Sequence, residues 1–174
     1  MVDKPLTARE IIGKSPVPLA MLVVGKSAMG GCWFFFIIKA ADADAMWFDS
    51  QITRTIGIIA EILGLIVVIL SLLQLGRSAA VGLPTGETML RTGGLYAVSR
   101  NPVYLGAFLA CLGSCLYSIH PVNLLLFALT VAIHHRIVKQ EEKFLEGRFG
   151  REWTAYRQRV PRYLGPLRRT NETH

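Results

Sequence analysis

The chain has few cysteines and few charges, and it lacks the short motifs of several large enzyme classes. Its 174 residues include three cysteines, and 18% of its residues are charged. Cys32, Cys111 and Cys115 all lie in apolar runs, which indicates packing residues rather than a disulfide or zinc framework. No Walker motif, HExxH, GxSxG or GxGxxG after a strand occurs, which excludes the sites built on those motifs. The polar start and the lack of a cleavage site after the first apolar run predict no cleavable signal.

What the chain does have is apolar residues in long blocks, and they make up 52% of it. A bilayer core of about 30 Å needs about 20 helical residues, and only helices or closed barrels satisfy their backbone there. The clearest block is 56–75, with Glu61 as its single charge. We therefore predict an all-α fold, a polytopic membrane helix bundle with a cytoplasmic C-terminal helical extension. It forms a single domain, 1–174, with about four spans at 17–38, 56–75, 103–119 and 121–138.

The basic residues are distributed unevenly between the loops. Lys and Arg occur in the N-terminal arm, the 76–102 loop and the tail beyond residue 139, whereas the 39–55 loop is mostly acidic. Because Lys and Arg mark cytoplasmic loops, we predict an integral membrane protein with both termini in the cytoplasm. The net charge of +7 then reflects attraction to anionic membrane lipids. Nucleic acid is a poorer account of this charge, since the basic residues adjoin membrane spans.

The third and fourth spans form a predicted antiparallel hairpin with a turn at Pro121 and Asn123. The fourth helix is expected to continue past the membrane to Phe149 and to end near Gly150. The next segment, 151–160, is either an interfacial helix or a helix packed on the hairpin. Small residues at helical spacing predict that a neighbouring helix approaches the third span closely: Gly106, Ala110, Gly113 and Ser114.

Two polar groups lie at the cytoplasmic ends of this hairpin. At the start of the third span, Pro102 suits the first helical turn and Asn101 the N-cap. The free N–H groups there could bind a carboxylate or phosphate, and simple capping is the alternative. Charges within the spans are also candidates, and for Lys26 and Glu61 a structural pair is preferred over snorkelling or cavity lining.

A second polar group occupies the inner end of the fourth span. His135 and Glu142 share one helix face, His134 and Glu141 share the next, and Arg136 points away from both. Adjacent carboxylates are disfavoured together unless water or a cation stabilises them. A solvated stretch of helix is the alternative reading of this group.

The two groups together form a motif that resembles a known superfamily. The first half is Tyr96-x-x-x-Arg100-Asn101-Pro102-x-Tyr104-x-Gly106. After the apolar hairpin, the second half is Glu141-Glu142-x-x-Leu145-x-x-x-Phe149-Gly150-x-x-Trp153-x-x-Tyr156-x-x-x-Val160-Pro161-Arg162. Over about 90–163 this resembles the isoprenylcysteine carboxyl methyltransferase and phospholipid methyltransferase superfamily of integral membrane methyltransferases. The superfamily often has His at the position of Asn101 and Tyr at that of Trp153.

The resemblance implies an S-adenosylmethionine-dependent membrane methyltransferase. It implies catalytic roles for Arg136, Glu142 and His135 near the reacting groups, with no metal site. Glu141 and Glu142 would form one wall of the cofactor pocket. The other wall would comprise Tyr96, Arg100, Asn101, Pro102, Tyr104 and Gly106.

The methyl acceptor stays open at this point. The resemblance implies a lipid or lipidated small-molecule substrate, either a prenylcysteine-type carboxylate or a phospholipid amine. A carboxylate is ionised at neutral pH and needs no general base, whereas an amine must lose a proton. Two other functions remain: a membrane reductase related to sterol reductases, which would use NADPH, and a non-catalytic membrane protein. The oligomeric state is not predicted.

Overall fold

The structure, a computed structural model, describes residues 17–41, 48, 50–76 and 90–166. These residues form four α-helices and one short 3-10 turn, and the described residues contain no β-strand, so the all-α prediction is confirmed. The elements are α1 (Leu19–Ala40), α2 (Gln51–Leu75), the 3-10 turn Gly94–Ala97, α3 (Pro102–Tyr117) and α4 (Pro121–Arg159). The basic N-terminal arm, the acidic residues Asp42, Asp44 and Asp49, and the 77–89 loop lie outside the described residues.

Three of the four helices are long and apolar enough to cross a membrane. These are α1, α2 and α4, whereas α3 has 16 residues and is a shorter apolar helix. At a rise of about 1.5 Å per residue, α3 is about 24 Å long, which is less than the apolar core. The predicted spans therefore correspond to three long helices and one short one. Large apolar side chains of α2, such as Ile59, Ile66 and Leu73, are exposed, as expected for a surface that faces lipid. The chain is an integral membrane protein.

Glycines bring α2 and α3 into backbone contact. A Cβ atom added to Gly64 would lie 2.6 Å from the carbonyl oxygen of Gly106, and one added to Gly57 would lie 2.8 Å from that of Gly113. The reverse additions, at Gly106 and Gly113, meet the carbonyl oxygens of Gly64 and Gly57 at 2.8 and 2.7 Å. The predicted close approach along the third span is thus present, and α2 is the helix that makes it.

The fourth helix, α4, continues beyond its apolar part and bends at Gly150, where φ is 50° and ψ is −113°. This positive φ favours glycine, and it confirms the break expected there. Beyond the bend, the predicted face of Trp153, Tyr156 and Val160 is buried. It packs against Leu90, Leu145 and Phe149. Of the two alternatives for 151–160, the structure supports the helix packed on the protein, because its apolar face contacts protein side chains.

The charges within the spans do not pair with each other, so the preferred Lys26–Glu61 pair is wrong. Lys26 is exposed on α1, and its charge acts on His134 and Glu141 of α4. Glu61 is buried on α2 beside Cys32 and Ser114. The two side chains thus belong to different surroundings, which the helix packing keeps apart.

The three cysteines are free and buried, as expected for packing residues. Cys32 and Cys111 join Met29 and Ala107 in the apolar core between α1 and α3. The hairpin turn is closed by Asn123, whose side chain donates to the carbonyl and hydroxyl oxygens of Ser118 at 3.3 and 3.0 Å. These contacts hold α3 and α4 antiparallel, so residues 99–104 and 138–146 meet at the same end of the hairpin.

Candidate functional site

The site is organised around Glu142, which is 8% exposed in its side chain. Arg162 donates from Nε and Nη2 to Oε2 of Glu142 at 3.1 and 2.7 Å. The other oxygen, Oε1, lies 3.2 Å from Nη2 of Arg100 and accepts a bond of 3.1 Å from the Asn101 amide. Two guanidinium groups therefore neutralise this carboxylate, and both of its oxygens are occupied.

The backbone brings these side chains together. The amide N–H of Arg100 donates to the carbonyl oxygen of Pro161 at 2.9 Å, and the Ser99 hydroxyl donates to that of Arg162 at 3.1 Å. The Asn101 amide also donates to the Arg162 carbonyl, at 3.3 Å. Asn101 occupies the N-cap of α3, but its side chain makes no capping bond. The side chain instead links the start of α3 to the segment after α4.

Aromatic residues support this link from the side of Tyr96. The Tyr156 hydroxyl donates to the carbonyl oxygen of Tyr96 at 2.6 Å, and the Arg100 guanidinium lies 5.7 Å from the ring centre of Trp153. Burial, together with the charge of Glu141, raises the pKa of Tyr96 to about 12. Burial lowers the pKa of Arg100, against the opposing effect of Glu142. The site is therefore partly removed from water. Electrostatic contacts are stronger in such surroundings than in water.

Glu141 differs from its neighbour in having no guanidinium partner among the described residues. Its Oε1 accepts a hydrogen bond of 2.9 Å from the Tyr104 hydroxyl. Burial raises the pKa of Glu141, while the bond from Tyr104 and the charge of Lys26 oppose this rise. Tyr163 also lies close enough to interact with Glu141 electrostatically. This half-buried carboxylate, bordered by tyrosines, is suited to a cation.

The predicted trio of Arg136, His135 and Glu142 is not joined by hydrogen bonds in the described part of the chain. Arg136 is exposed, as its helix position predicted. His135 is half-buried, with Nδ1 3.2 Å from the hydroxyl of Tyr163. Each of the three side chains therefore has surroundings of its own.

The neighbouring His134 is fully buried. Its Nδ1 lies 2.8 Å from the carbonyl oxygen of Thr130. Because a carbonyl only accepts, Nδ1 carries the hydrogen. The other ring nitrogen, Nε2, is buried without a hydrogen-bond partner among the described residues. A Cβ added to Gly25 would lie 3.4 Å from this Nε2 atom, so α1 packs directly on the ring.

Of the six residues predicted for the wall opposite the glutamates, Tyr96 accepts the bond from Tyr156 described above, and the other five divide into two groups. Arg100, Asn101 and Tyr104 contact the two glutamates through side chains. Pro102 is buried as the first residue of α3, and Gly106 contacts α2, so the packing alone explains why these two residues are small or rigid.

Sequence reasoning did not assign site roles to Ser99, Arg162 and Tyr163. The available signal was the Pro161-Arg162 step, since a proline after a helix turns the chain. This step belongs to the motif, but the motif does not show which side chain Arg162 contacts. The direction of the returning chain depends on contacts that are distant in sequence.

Beside Arg100, a surface groove of about 370 Å³ is lined mainly by residues 157–161 and 164–166. Arg100 lines this groove, and its Nε atom is buried without a hydrogen-bond partner in the described chain. The described residues contain no group of three or more His, Cys, Asp or Glu side chains arranged to hold a metal ion. The polar groups of the site are thus two arginines, two glutamates and several tyrosines.

Comparison with known proteins places this site within a family. The model of the phospholipid methyltransferase family matches residues 52–152. Over 73 residues the chain is 33% identical to the protein-S-isoprenylcysteine O-methyltransferase B of Arabidopsis thaliana, covering 41% of the chain and 37% of that protein. Over 76 residues it is 35% identical to the protein-S-isoprenylcysteine O-methyltransferase of Schizosaccharomyces pombe, covering 43% of the chain and 32% of that protein.

The chain thus matches about a third of the length of these curated relatives. The family match extends over more than half of the chain and includes α2, α3 and both glutamates of α4. This agrees with the resemblance found in the motifs. The chain belongs to the phospholipid methyltransferase family.

Proposed function

We propose that this protein transfers a methyl group from S-adenosylmethionine to a lipid-like acceptor at the cytoplasmic membrane face. The observation that carries the proposal is the contrast between two adjacent carboxylates. Glu142 is neutralised by Arg100 and Arg162, whereas Glu141 accepts one bond from Tyr104 and has no guanidinium partner in the described chain. A half-buried carboxylate of this kind is suited to a cationic ligand.

The chemistry of the side chains fits S-adenosylmethionine. Its sulfonium and ammonium groups are cations, which a carboxylate and the faces of tyrosine rings attract. Glu141 with Tyr104 and Tyr163 supplies such surroundings. The unpartnered Nε of Arg100 is a donor for the carboxylate of the cofactor. We therefore assign Glu141 to the cation and Arg100 to the anionic end.

The remaining residues position these two groups. Glu142 and the carbonyl oxygen of Arg157 hold the Arg100 guanidinium, so its unpartnered donor keeps one direction. When bound, the cofactor supplies a methyl group on a positively charged sulfur. In methyl transfer the acceptor attacks the methyl carbon in line with the departing sulfur. Alignment and exclusion of water are therefore the protein's main contributions. The half-buried Tyr104 and Tyr163 beside Glu141 contribute to the exclusion of water.

The names of the relatives favour a prenylated cysteine as acceptor, and the family description also favours a phospholipid. A carboxylate acceptor needs no base. For an amine acceptor, we assign proton removal to His135, because its ring is half-buried and bonded to Tyr163. Arg136 is exposed on the same turn of α4 and is assigned to an anionic group of the acceptor or of the membrane surface.

The test is cofactor binding by calorimetry with the purified full chain in detergent. Glu141→Gln removes the charge but keeps the shape, and it is expected to weaken S-adenosylmethionine binding by about tenfold or more. Glu146→Gln is the matched control, because Glu146 lies on the same helix but is exposed. Preferential binding of NADPH, or no binding of S-adenosylmethionine by the unchanged protein, would overturn the proposal.

A transfer assay then identifies the acceptor. Labelled S-adenosylmethionine is incubated with the protein in the presence of whole membrane lipids or of prenylated cysteine analogues. Label in a base-labile ester indicates a carboxylate acceptor, whereas label in a phospholipid headgroup indicates an amine. Absence of label from both, in protein that binds the cofactor, would contradict a lipid-like acceptor.

A further inference from the structure

Lys26 is a charged residue within an apolar helix, and it has no fixed partner among the residues that the structure describes. It lies on α1, which is long and apolar enough to cross a membrane. In the described part of the chain, Lys26 makes neither a hydrogen bond nor an ion pair, and its side chain is exposed. Ionisable residues in a membrane span are costly, so an unpaired one needs a reason.

The surroundings of Lys26 connect it to the proposed site. Its charge acts on His134 and on Glu141 of α4, so the ammonium lies within electrostatic range of both side chains. The neighbouring Gly25 packs against Ile133 and His134, where an added Cβ would lie 3.0 and 3.1 Å from side-chain carbons. The close approach of the two helices at Gly25 therefore holds Lys26 beside the Glu141 end of α4.

The depth of Lys26 suits contact with a lipid headgroup. It is seven residues beyond the start of α1 at Leu19, or about 10 Å along the helix axis. Helical side chains tilt towards the N-terminus, so a lysine here extends back towards the membrane surface. This is the surface at which the cytoplasmic extension of α4 begins, with Glu141.

We propose that Lys26 binds the anionic group of the methyl acceptor, a carboxylate or phosphate next to the atom that receives the methyl group. This inference rests on the proposed function and adds a residue outside the region matched by the family model. In it, Glu141 attracts the cationic cofactor, and Lys26 attracts the anionic acceptor from the lipid side. The two opposite charges on facing helices would then hold the reactants next to each other.

Compensation of Glu141 is the competing role for Lys26, and the two roles predict different effects. If Lys26 only balances Glu141, its removal strengthens the attraction of Glu141 for a cation and leaves acceptor binding unchanged. If Lys26 binds the acceptor, its removal weakens binding of the acceptor's charged form alone. Both effects are measurable as equilibrium binding, without any turnover.

The experiment measures ligand binding to the purified full chain in detergent by microscale thermophoresis. One arm compares N-acetyl-S-farnesylcysteine with its methyl ester, which lacks the charge. The second compares lysophosphatidylethanolamine with an acyl ethanolamide, which lacks the phosphate. The variants are Lys26→Met and the charge-retaining Lys26→Arg. The control is Lys39→Met. Lys39 lies in the last turn of the same helix, whereas Lys26 lies nearer its start.

We expect the unchanged protein to prefer the anionic member of one of the two ligand pairs. The pair that shows this preference identifies the anionic group of the acceptor as a carboxylate or a phosphate. Lys26→Met is expected to lose about tenfold of that preference, while Lys26→Arg and Lys39→Met retain it. No preference in either pair, or a preference unchanged by Lys26→Met, would overturn the inference. Calorimetry with S-adenosylmethionine runs in parallel. A lack of cofactor binding there counts against the proposed function, whereas the ligand pairs alone decide the role of Lys26.

Discussion

Arg162 donates two hydrogen bonds to a single oxygen of Glu142, at 3.1 and 2.7 Å, and leaves the other oxygen to Arg100 and Asn101. The bond with Glu142 raises the pKa of the Arg162 guanidinium, so the guanidinium keeps its charge. This arrangement connects α4, the start of α3 and the segment after Pro161. One carboxylate thereby holds three separate parts of the chain.

Removing Glu142 should destabilise the protein strongly. Glu142→Ala leaves the guanidinium of Arg100, which is 7% exposed, without its carboxylate. Loss of one partner from a buried pair costs about 3–5 kcal/mol. Thermal unfolding in detergent, followed by intrinsic fluorescence, should show a lower midpoint.

Glu146→Ala is the matched control for this measurement. Glu146 lies on the same helix and pairs with Arg157, but both side chains are nearly half exposed. Exposed pairs contribute about 0–1 kcal/mol, so a small shift is expected. Equal shifts in the two variants would show that the Glu142 contacts do not support the fold.

Cofactor binding should weaken as the pH falls. The weakening should begin at a higher pH than for an ordinary carboxylate, because the pKa of Glu141 is raised. Only ionised Glu141 attracts a cation, and burial raises its pKa. The titratable groups that interact with it are Lys26 on α1, Tyr104 on α3, Glu142 on α4, and the tyrosines Tyr96 and Tyr163. Tyr104 donates to the carboxylate and lowers its pKa, so Tyr104→Phe should move the midpoint of the loss to a higher pH. Calorimetric affinity for S-adenosylmethionine across pH measures both midpoints, and a shift to lower pH in Tyr104→Phe would contradict this account.

A methyl group at Gly64 should disrupt the contact between α2 and α3. The added Cβ would lie 2.6 Å from the carbonyl oxygen of Gly106, and neither backbone can yield without moving a helix. Overpacking of this kind costs about 1–3 kcal/mol. Gly30→Ala is the control, since Gly30 on α1 has nothing within 4 Å of an added Cβ. Alanine favours a helix by up to about 1 kcal/mol, so Gly30→Ala should be neutral or stabilising. Unfolding midpoints in detergent compare the two, and an unchanged midpoint for Gly64→Ala would refute the packing.

Both termini are predicted to lie in the cytoplasm. Fusions of a reporter that is active only inside the cell, placed at either end, should both be active, and a reporter active only outside should be silent. The isolated β-bridge between Phe48 and Ile119 agrees with an even number of crossings, because it joins the α1–α2 loop to the hairpin turn. A C-terminal fusion active outside the cell would place Glu141 on the wrong side for a cytoplasmic cofactor.

Much of the helical layout could be predicted from local patterns. The apolar block 56–75 lies within α2, and Gly150 ends the straight part of α4 because a positive φ suits glycine. Lys26 and Glu61 could not be assigned this way. Each is a single charge in an apolar run, and only the packing of α1 and α2 shows which helix each one faces. The same holds for Asn101, which sequence position assigns to a cap and the structure assigns to Glu142.

The sequence by itself determined the membrane helices, the antiparallel hairpin and therefore the meeting of the motif around Arg100 with the pair Glu141-Glu142. Hydrophobic length and turn residues are local properties, so they can be recognised without a fold. Only the tertiary structure decided that, among the described residues, Glu142 has two guanidinium partners and Glu141 has none. Adjacent helical residues differ by about 100° in direction, and the chain after Pro161 returns Arg162 to one of these directions alone. The different surroundings of two identical neighbours depend on a contact that spans 20 residues of sequence.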